Sequence, residues 1–220
     1  MLPETGIKIG KPLIREPLMQ LRRGTTADLE AMVETMTRAF ADDPVWGGWA
    51  FPDRTRATEQ RRAIFGLWIE MSLRDGWVLV TEGCEAVASW FSPGAGADSP
   101  ADAARFLGLA ERLLGARAPI FLEGCAVIER SRPTGEPFHF LSLLGTHDAH
   151  RGRSLGKSLL DASLVLVDRE GLPAYLDSTN TANLPLYESR GFRRIGSYRM
   201  PGGPSVDQMW RPGARGGATR

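Results

Sequence analysis

An excess of charge of either sign is missing. Lys+Arg 27 against Asp+Glu 26 leaves a formal net charge of +1 over 220 residues, so no overall field draws this protein to nucleic acid or to an anionic membrane. Any anion it binds must therefore be met locally. Cysteine is scarce as well: Cys84 and Cys125 stand 41 apart, with neither a CxxC spacing nor histidines at ligand distance. That argues against a disulfide framework and a cysteine zinc site, and leaves two reduced structural thiols as the expectation. His139, His147 and His150 show no metal pattern, and no metal is expected. No apolar run approaches the roughly 18 residues of a membrane span, and MLPETGIKIGKPLIREP lacks the apolar core of a signal peptide. The cytoplasm is the expected compartment. No internal repeat is present.

Hydrophobic residues at 42% and six tryptophans are enough for a sizeable core. One domain over 17–211 is expected, between loose tails at 1–16 and 212–220. LMQLRR alternates briefly. TTADLEAMVETMTRAFADDP begins with a threonine cap and an early acid, and Leu29, Met32, Val33, Met36 and Phe40 form one helical stripe. An aromatic loop, VWGGWAFPD, precedes a second helix over 55–74. WVLVTE and CEAVASWFS predict a hairpin turning at Gly83. SPGAGADSP then breaks the chain before a helical pattern over 101–129, interrupted at Gly115 and Pro119. FHFLSLLG and LPAYLDS predict strands buried on both faces, with the helix LGKSLLDASLVLVDREG between them. NLPLYESRG predicts a short helix capped by Asn183 and stopped by Gly191, and FRRIGSYRM and SVDQMWR are two further strands. Strand, loop, helix, strand implies an α/β fold with a right-handed parallel crossover, its glycine loop at the carboxyl end of the first strand.

That loop, HDAHRGRSLGKSLL, carries the chemistry. Main-chain N–H groups opening a helix point outward, and the helix dipole adds partial positive charge, so the place suits a phosphate. Gly152 and Gly156 let the main chain approach a ligand, while Arg151, Arg153 and Lys157 add charge at the rim. A solvated basic turn is the plain structural alternative. A nucleotide loop of the form G-x-x-x-x-G-K-[ST] is one residue short here, because Arg151 stands where its first glycine would. The pattern R/Q-x-x-G-x-G/A fits better: Arg151-Gly152-Arg153-Ser154-Leu155-Gly156 departs from it only at Ser154, where glycine is usual. If Ser154 needs a positive φ, it is strained.

With that loop, and with Asn183, Tyr187 and Gly191-Phe192 spaced as N-x-x-x-Y-x-x-x-G-F about 30 residues on, the chain resembles the GCN5-related N-acetyltransferases. FLSLLGTHDAHRGRSLG, GLPAYLDSTNTANLPLYESRGF and AFADDP are similar to segments of the branch of that family that includes puromycin N-acetyltransferase. The resemblance implies a single mixed twisted sheet with helices on both faces and a splayed pair of parallel strands. Acetyl-CoA would be the cosubstrate, its pantetheine arm on main chain at Leu144, Gly145 and Thr146. Its pyrophosphate would lie on the amides of Arg151, Gly152, Arg153, Ser154, Leu155, Gly156 and Lys157, with Asn183 and Tyr187 nearby. The resemblance gives Tyr187 the role of acid toward the departing thiolate and places Asp177 as a candidate base; His147, Asp42 and Asp43 are alternatives. Trp46, Trp49 and Phe51 would line an acceptor pocket in which Asp42 and Asp43 favour a cationic amine, with core packing equally open to these aromatics. The implied reaction acetylates a primary amine of a small molecule, an antibiotic-like amine preferred. A protein amine as acceptor, or a non-catalytic CoA-binding module, are the alternatives. The expected partner is the small amine, without nucleic acid or membrane, and the expected state is a monomer or homodimer.

Overall fold

A computed structural model describes residues 20–95 and 99–214. The tail expected over 1–16, the last six residues of the tail expected over 212–220, and positions 96–98 of the expected chain break lie outside them. Seven strands form one sheet: β1 (Leu21–Arg23), β2 (Gly76–Thr81), β3 (Ala86–Phe91), β4 (His139–Thr146), β5 (Ala174–Ser178), β6 (Arg193–Arg199) and β7 (Ser205–Arg211). Their order is β1-β2-β3-β4-β5-β7-β6, and every pairing is antiparallel except that of β4 with β5.

Helices cover both faces. Along one lie α1 (Leu29–Ala39) and α2 (Ala57–Asp75), backed by α3 (Pro100–Leu114) and α4 (Ala118–Ser131). Against the other pack α5 (Leu155–Glu170) and the short α6 (Leu184–Glu188). The stripe expected on α1 is buried at Met32, Val33 and Met36, and its entry is fixed by Asp28, whose carboxylate accepts from the Thr25 N–H and hydroxyl, each at 2.9 Å. Alternation splits the sheet residues cleanly: Val78, Val80 and Val87 enter the α1–α4 core, while Leu79, Ala86 and Ala88 enter the α5 core.

Strand β4 breaks that alternation. Trp90 pairs with Leu141 and Ser89 with Leu143, leaving Ser142 as the extra residue of a bulge. Leu141 consequently packs with the α5 core and Leu143 with the α1 core, although the two are only two residues apart. The parallel pairing of β4 with β5 covers only His139–Leu141 against Ala174–Leu176. Past those residues the strands separate, and among the described residues the edge of β4 toward β5 has no partner strand.

Helix α1 lies so close to β4 that a side chain at Gly145 has no room: a Cβ there would sit 2.7 Å from the Ala39 Cβ and 2.8 Å from the Met36 Sδ. Gly145→Val should therefore destabilise the fold by about 1–3 kcal/mol through overpacking, read as a lowered urea midpoint. An unchanged midpoint would contradict this packing.

Candidate active site

The opening between β4 and β5 is a cavity of about 420 Å³, bounded by the end of β4, the 147–156 loop, the end of β5 and α6. Three independent features converge on it. The first is the open edge of β4. His147 donates its N–H to the Glu85 carbonyl beside β3 at 2.8 Å, so strand alternation turns the polar groups of Thr146 and Leu144 toward the opening and those of Gly145 toward β3. Of the three residues expected to meet a ligand through main chain, Gly145 thus serves the packing of α1 instead.

The second feature is the loop. A short turn over Asp148–His150 leads to Gly152 at φ +79° and Ser154 at φ +58°, and α5 starts at once. Among the described residues no acceptor takes the N–H of Gly152, Arg153, Ser154, Leu155, Gly156 or Lys157. These amides therefore crown the positive end of a 16-residue helix. Gly156 brings that helix end close to β4, since a Cβ there would approach the Thr146 hydroxyl at 3.0 Å. Arg151 ties the loop to the end of α1 through the Ala39 carbonyl at 3.1 Å. Arg151 and Lys157 border the cavity; Arg153 does not, and its guanidinium lies 3.1 Å from His150 Nδ1. The row of free amides suits an anion, and the left-handed backbone at Ser154 is the strain that the sequence foreshadowed.

The third feature is a pair of buried ionisable groups. Tyr187, on α6, is 7% exposed, with its ring edge-on to Phe192 at 6.0 Å. Its hydroxyl donates to no acceptor among the described residues, and burial, with the Asp43 charge added, holds its pKa well above the ordinary tyrosine range. Asp177, on β5, accepts from the Tyr175 hydroxyl at 2.6 Å through Oδ1, while Oδ2 is buried with no partner. Tyr175 in turn accepts from Gln208 at 3.0 Å. Burial pushes Asp177 up to about 6, against the opposing pull of Tyr175 and the Arg132 charge. Tyr175, Gln208 and Arg132 are neighbours of Asp177 that the sequence did not single out. Tyr175 was findable, because residues two apart in a strand share a face.

The expected acceptor loop is different from a loop. Residues 44–49 wind into one wide helical turn, capped by Asp43. Asp43 Oδ1 accepts from the N–H groups of Val45 (2.9 Å) and Trp46 (2.8 Å), and Oδ2 from the Thr179 hydroxyl (2.6 Å). This carboxylate is a clamp between α1 and the end of β5 rather than a free counter-ion for an amine, and burial raises its pKa. Asp42 stays exposed at the cavity rim. Trp46 borders the cavity, whereas Trp49 and Phe51 are corrected to core. Trp49 donates from Nε1 to the Pro201 carbonyl at 2.8 Å, and a Cβ at Gly124 or Gly203 would collide with its ring; Phe51 is fully buried against Phe121. Asn183 is corrected as well. Asn180 supplies the cap, accepting from the Ala182 N–H at 3.0 Å, and Asn183 borders the cavity without capping. Among the described residues no group of three His, Cys, Asp or Glu side chains could hold a metal ion, and no helix is long and apolar enough to cross a membrane.

Residues 103–194 match the family model described as an acetyltransferase (GNAT) domain. The chain is 28% identical over 174 residues to a mycothiol acetyltransferase of Acidothermus cellulolyticus, covering 78% of this chain and 43% of that protein. It is 29% identical over 187 residues to a mycothiol acetyltransferase of Thermobispora bispora, covering 84% and 46%. It therefore spans less than half the length of either relative. Among solved structures it is similar to one titled histone acetyltransferase HPA2 and related acetyltransferase, from Corynebacterium glutamicum, with TM-score 0.68 and 25% identity, covering 89% of this chain and 97% of that one.

Relieving the backbone at Ser154 should be measurable. A left-handed non-glycine residue costs about 1–2 kcal/mol, and glycine returns about 0.5–1 kcal/mol of that as unfolded-chain entropy. Ser154→Gly should raise stability by about 0.5–1 kcal/mol in urea unfolding, and a lowered midpoint would refute the strain.

Proposed function

We propose that this chain, which belongs to the GCN5-related N-acetyltransferase superfamily, moves an acetyl group from acetyl-CoA to a primary amine of a small molecule by direct attack in a ternary complex. An antibiotic-like amine is the preferred class. The observation that carries the reading is the coincidence, at one cavity, of an unpaired β4 edge, a row of free amides at the start of α5, and the two buried groups Asp177 and Tyr187. The relatives' name, mycothiol acetyltransferase, supports a small-molecule acceptor over a protein amine.

Acetyl-CoA supplies the activated acetyl group as a thioester. The loop amides fit its pyrophosphate, and the polar groups of Leu144 and Thr146 fit an extended amide-bearing arm. An amine must lose a proton to attack, and Asp177 Oδ2 is the base, being ionised above about pH 6 with the Tyr198 hydroxyl beside the carboxylate. The departing sulfur must gain one. The raised pKa of Tyr187 keeps its hydroxyl protonated at neutral pH, so it donates a hydrogen bond to the sulfur and yields the proton only as charge develops there. Solvent then resets the tyrosine.

Tyr187→Phe should lower kcat by about 100-fold or more while leaving the acetyl-CoA Kd within about twofold. A turnover unchanged by it would remove Tyr187 from the chemistry. A non-catalytic CoA-binding module would show binding with no rate to lose. For Asp177 the sign follows from its raised pKa: protonated and inactive below about 6, it should give kcat/KM an acid limb that rises with pH through about 6. Asp177→Asn should abolish that limb along with most of the rate; a limb that survives in the variant assigns the base elsewhere.

A further inference from the structure

On the other face of the sheet, between α2, α3, α4 and strands β3 and β4, lies a second cavity of about 390 Å³. It shares a wall with the first, since Trp46, Ser142, Asp177 and Thr179 border both. The bulge at Ser142 and the end of β5 are thus the partition between two chambers, with the free Oδ2 of Asp177 in it.

Rings line one side of the second chamber. Trp68 meets Trp46 edge-on at 4.9 Å and stacks with Phe106 at 6.4 Å, while Phe91 stacks with Phe140 at 6.2 Å. Cys125 belongs to this apolar wall, its thiol pushed up to about 12 by burial and so neutral. Polar groups gather at the inner end, where Glu129, Arg132, Ser142, Asp177, Thr179 and Tyr198 border the cavity. The Arg132 guanidinium lies 4.4 Å over the Phe140 ring, and the Tyr198 hydroxyl, like Asp177 Oδ2, is buried without a partner. A flat apolar ring system meets aromatic faces and edges among Trp68, Phe91 and Phe106, while a polar head carried on it reaches the groups gathered near Asp177.

We infer that this second cavity is the acceptor site and that the acceptor is a primary amine carried on a flat apolar ring system, the ring lodged by Trp68 and Phe106 and the nitrogen at Asp177 Oδ2. The inference rests on the acetyltransferase reading and names the substrate class of that site. The step balances: the ammonium gives one proton to Asp177 and the neutral nitrogen bonds to the acetyl carbon. The carbon–sulfur bond breaks, the thiolate takes a proton from the Tyr187 hydroxyl and leaves as CoA, and the nitrogen sheds its second proton as the amide forms, which solvent returns to Tyr187.

The test measures CoA release with tryptamine, phenethylamine, glucosamine and a lysine-containing peptide as acceptors, alongside the thermal shift given by acetyl-CoA alone. Tryptamine or phenethylamine should exceed glucosamine and the peptide in kcat/KM by about 100-fold. Cys125→Phe, which fills the cavity, should lower kcat/KM for the ring-bearing amines by at least about tenfold with the acetyl-CoA shift retained. Ala126→Trp, at an exposed position of the same lining, does so without demanding buried space should the first variant fail to fold. Equal or better turnover of glucosamine or peptide, no turnover of either ring-bearing amine, or a folded filling variant with an unaltered rate would each overturn the inference while the acetyl-CoA shift leaves the parent reading standing. Absence of any shift with acetyl-CoA would sink both.

Discussion

Everything at this site depends on where β4 and β5 stop pairing. Three residues of parallel ladder, His139–Leu141 against Ala174–Leu176, hold the sheet together, and beyond them two strand ends diverge with unmet main-chain groups. A sheet usually avoids such an opening, because an unpaired edge is both unsatisfied and adhesive. Here the bulge at Ser142 bends β4 away, α1 presses on Gly145 from one face, and α5 begins against Thr146 from the other. The gap is therefore held open by packing, and a ligand with its own amides and phosphates can complete what the sheet leaves unpaired.

The electrostatics are equally local. A nearly neutral protein has no long-range attraction to offer an anion, but six amides at one helix end, with Arg151 and Lys157 at the rim, make a short-range one. Inside the cavity the balance reverses. Tyr187 and the Oδ2 end of Asp177 are buried, and burial disfavours the charged form of each, so the carboxyl titrates within reach of neutral pH and the phenol keeps its proton. One physical cause, removal from water, thus prepares one group to accept a proton and the other to hold its own.

Much of the fold was readable because it rests on period and punctuation. Leu29, Met32, Val33 and Met36 announce α1, Gly83 lies in the hairpin turn, Gly191 ends the short helix, and FHFLSLLG and LPAYLDS read as buried strands. The loop from Arg151 to Lys157 was readable too, since glycines and cations opening a helix have few other uses. Some assignments failed for a common reason. Trp49 and Phe51 were placed at a pocket and Asn183 at a cap, because local sequence shows that an aromatic or an asparagine is present but not which neighbours reach it. Gly124 and Gly203, distant in the chain, create the slot that holds Trp49, and Asn180 takes the cap three residues before Asn183.

Sequence alone determined the order of elements, the parallel crossover and the glycine-bearing start of α5, because each is set by interactions among residues close in the chain. Only the tertiary structure decided that Asp43 is a clamp to Thr179, that Asp177 is half-satisfied by Tyr175, and that an aromatic chamber from three helices and two strands meets the cofactor side at Ser142 and Asp177. Those are contacts between segments up to 136 residues apart, and burial, on which both ionisable groups depend, belongs to no segment until all of them have packed.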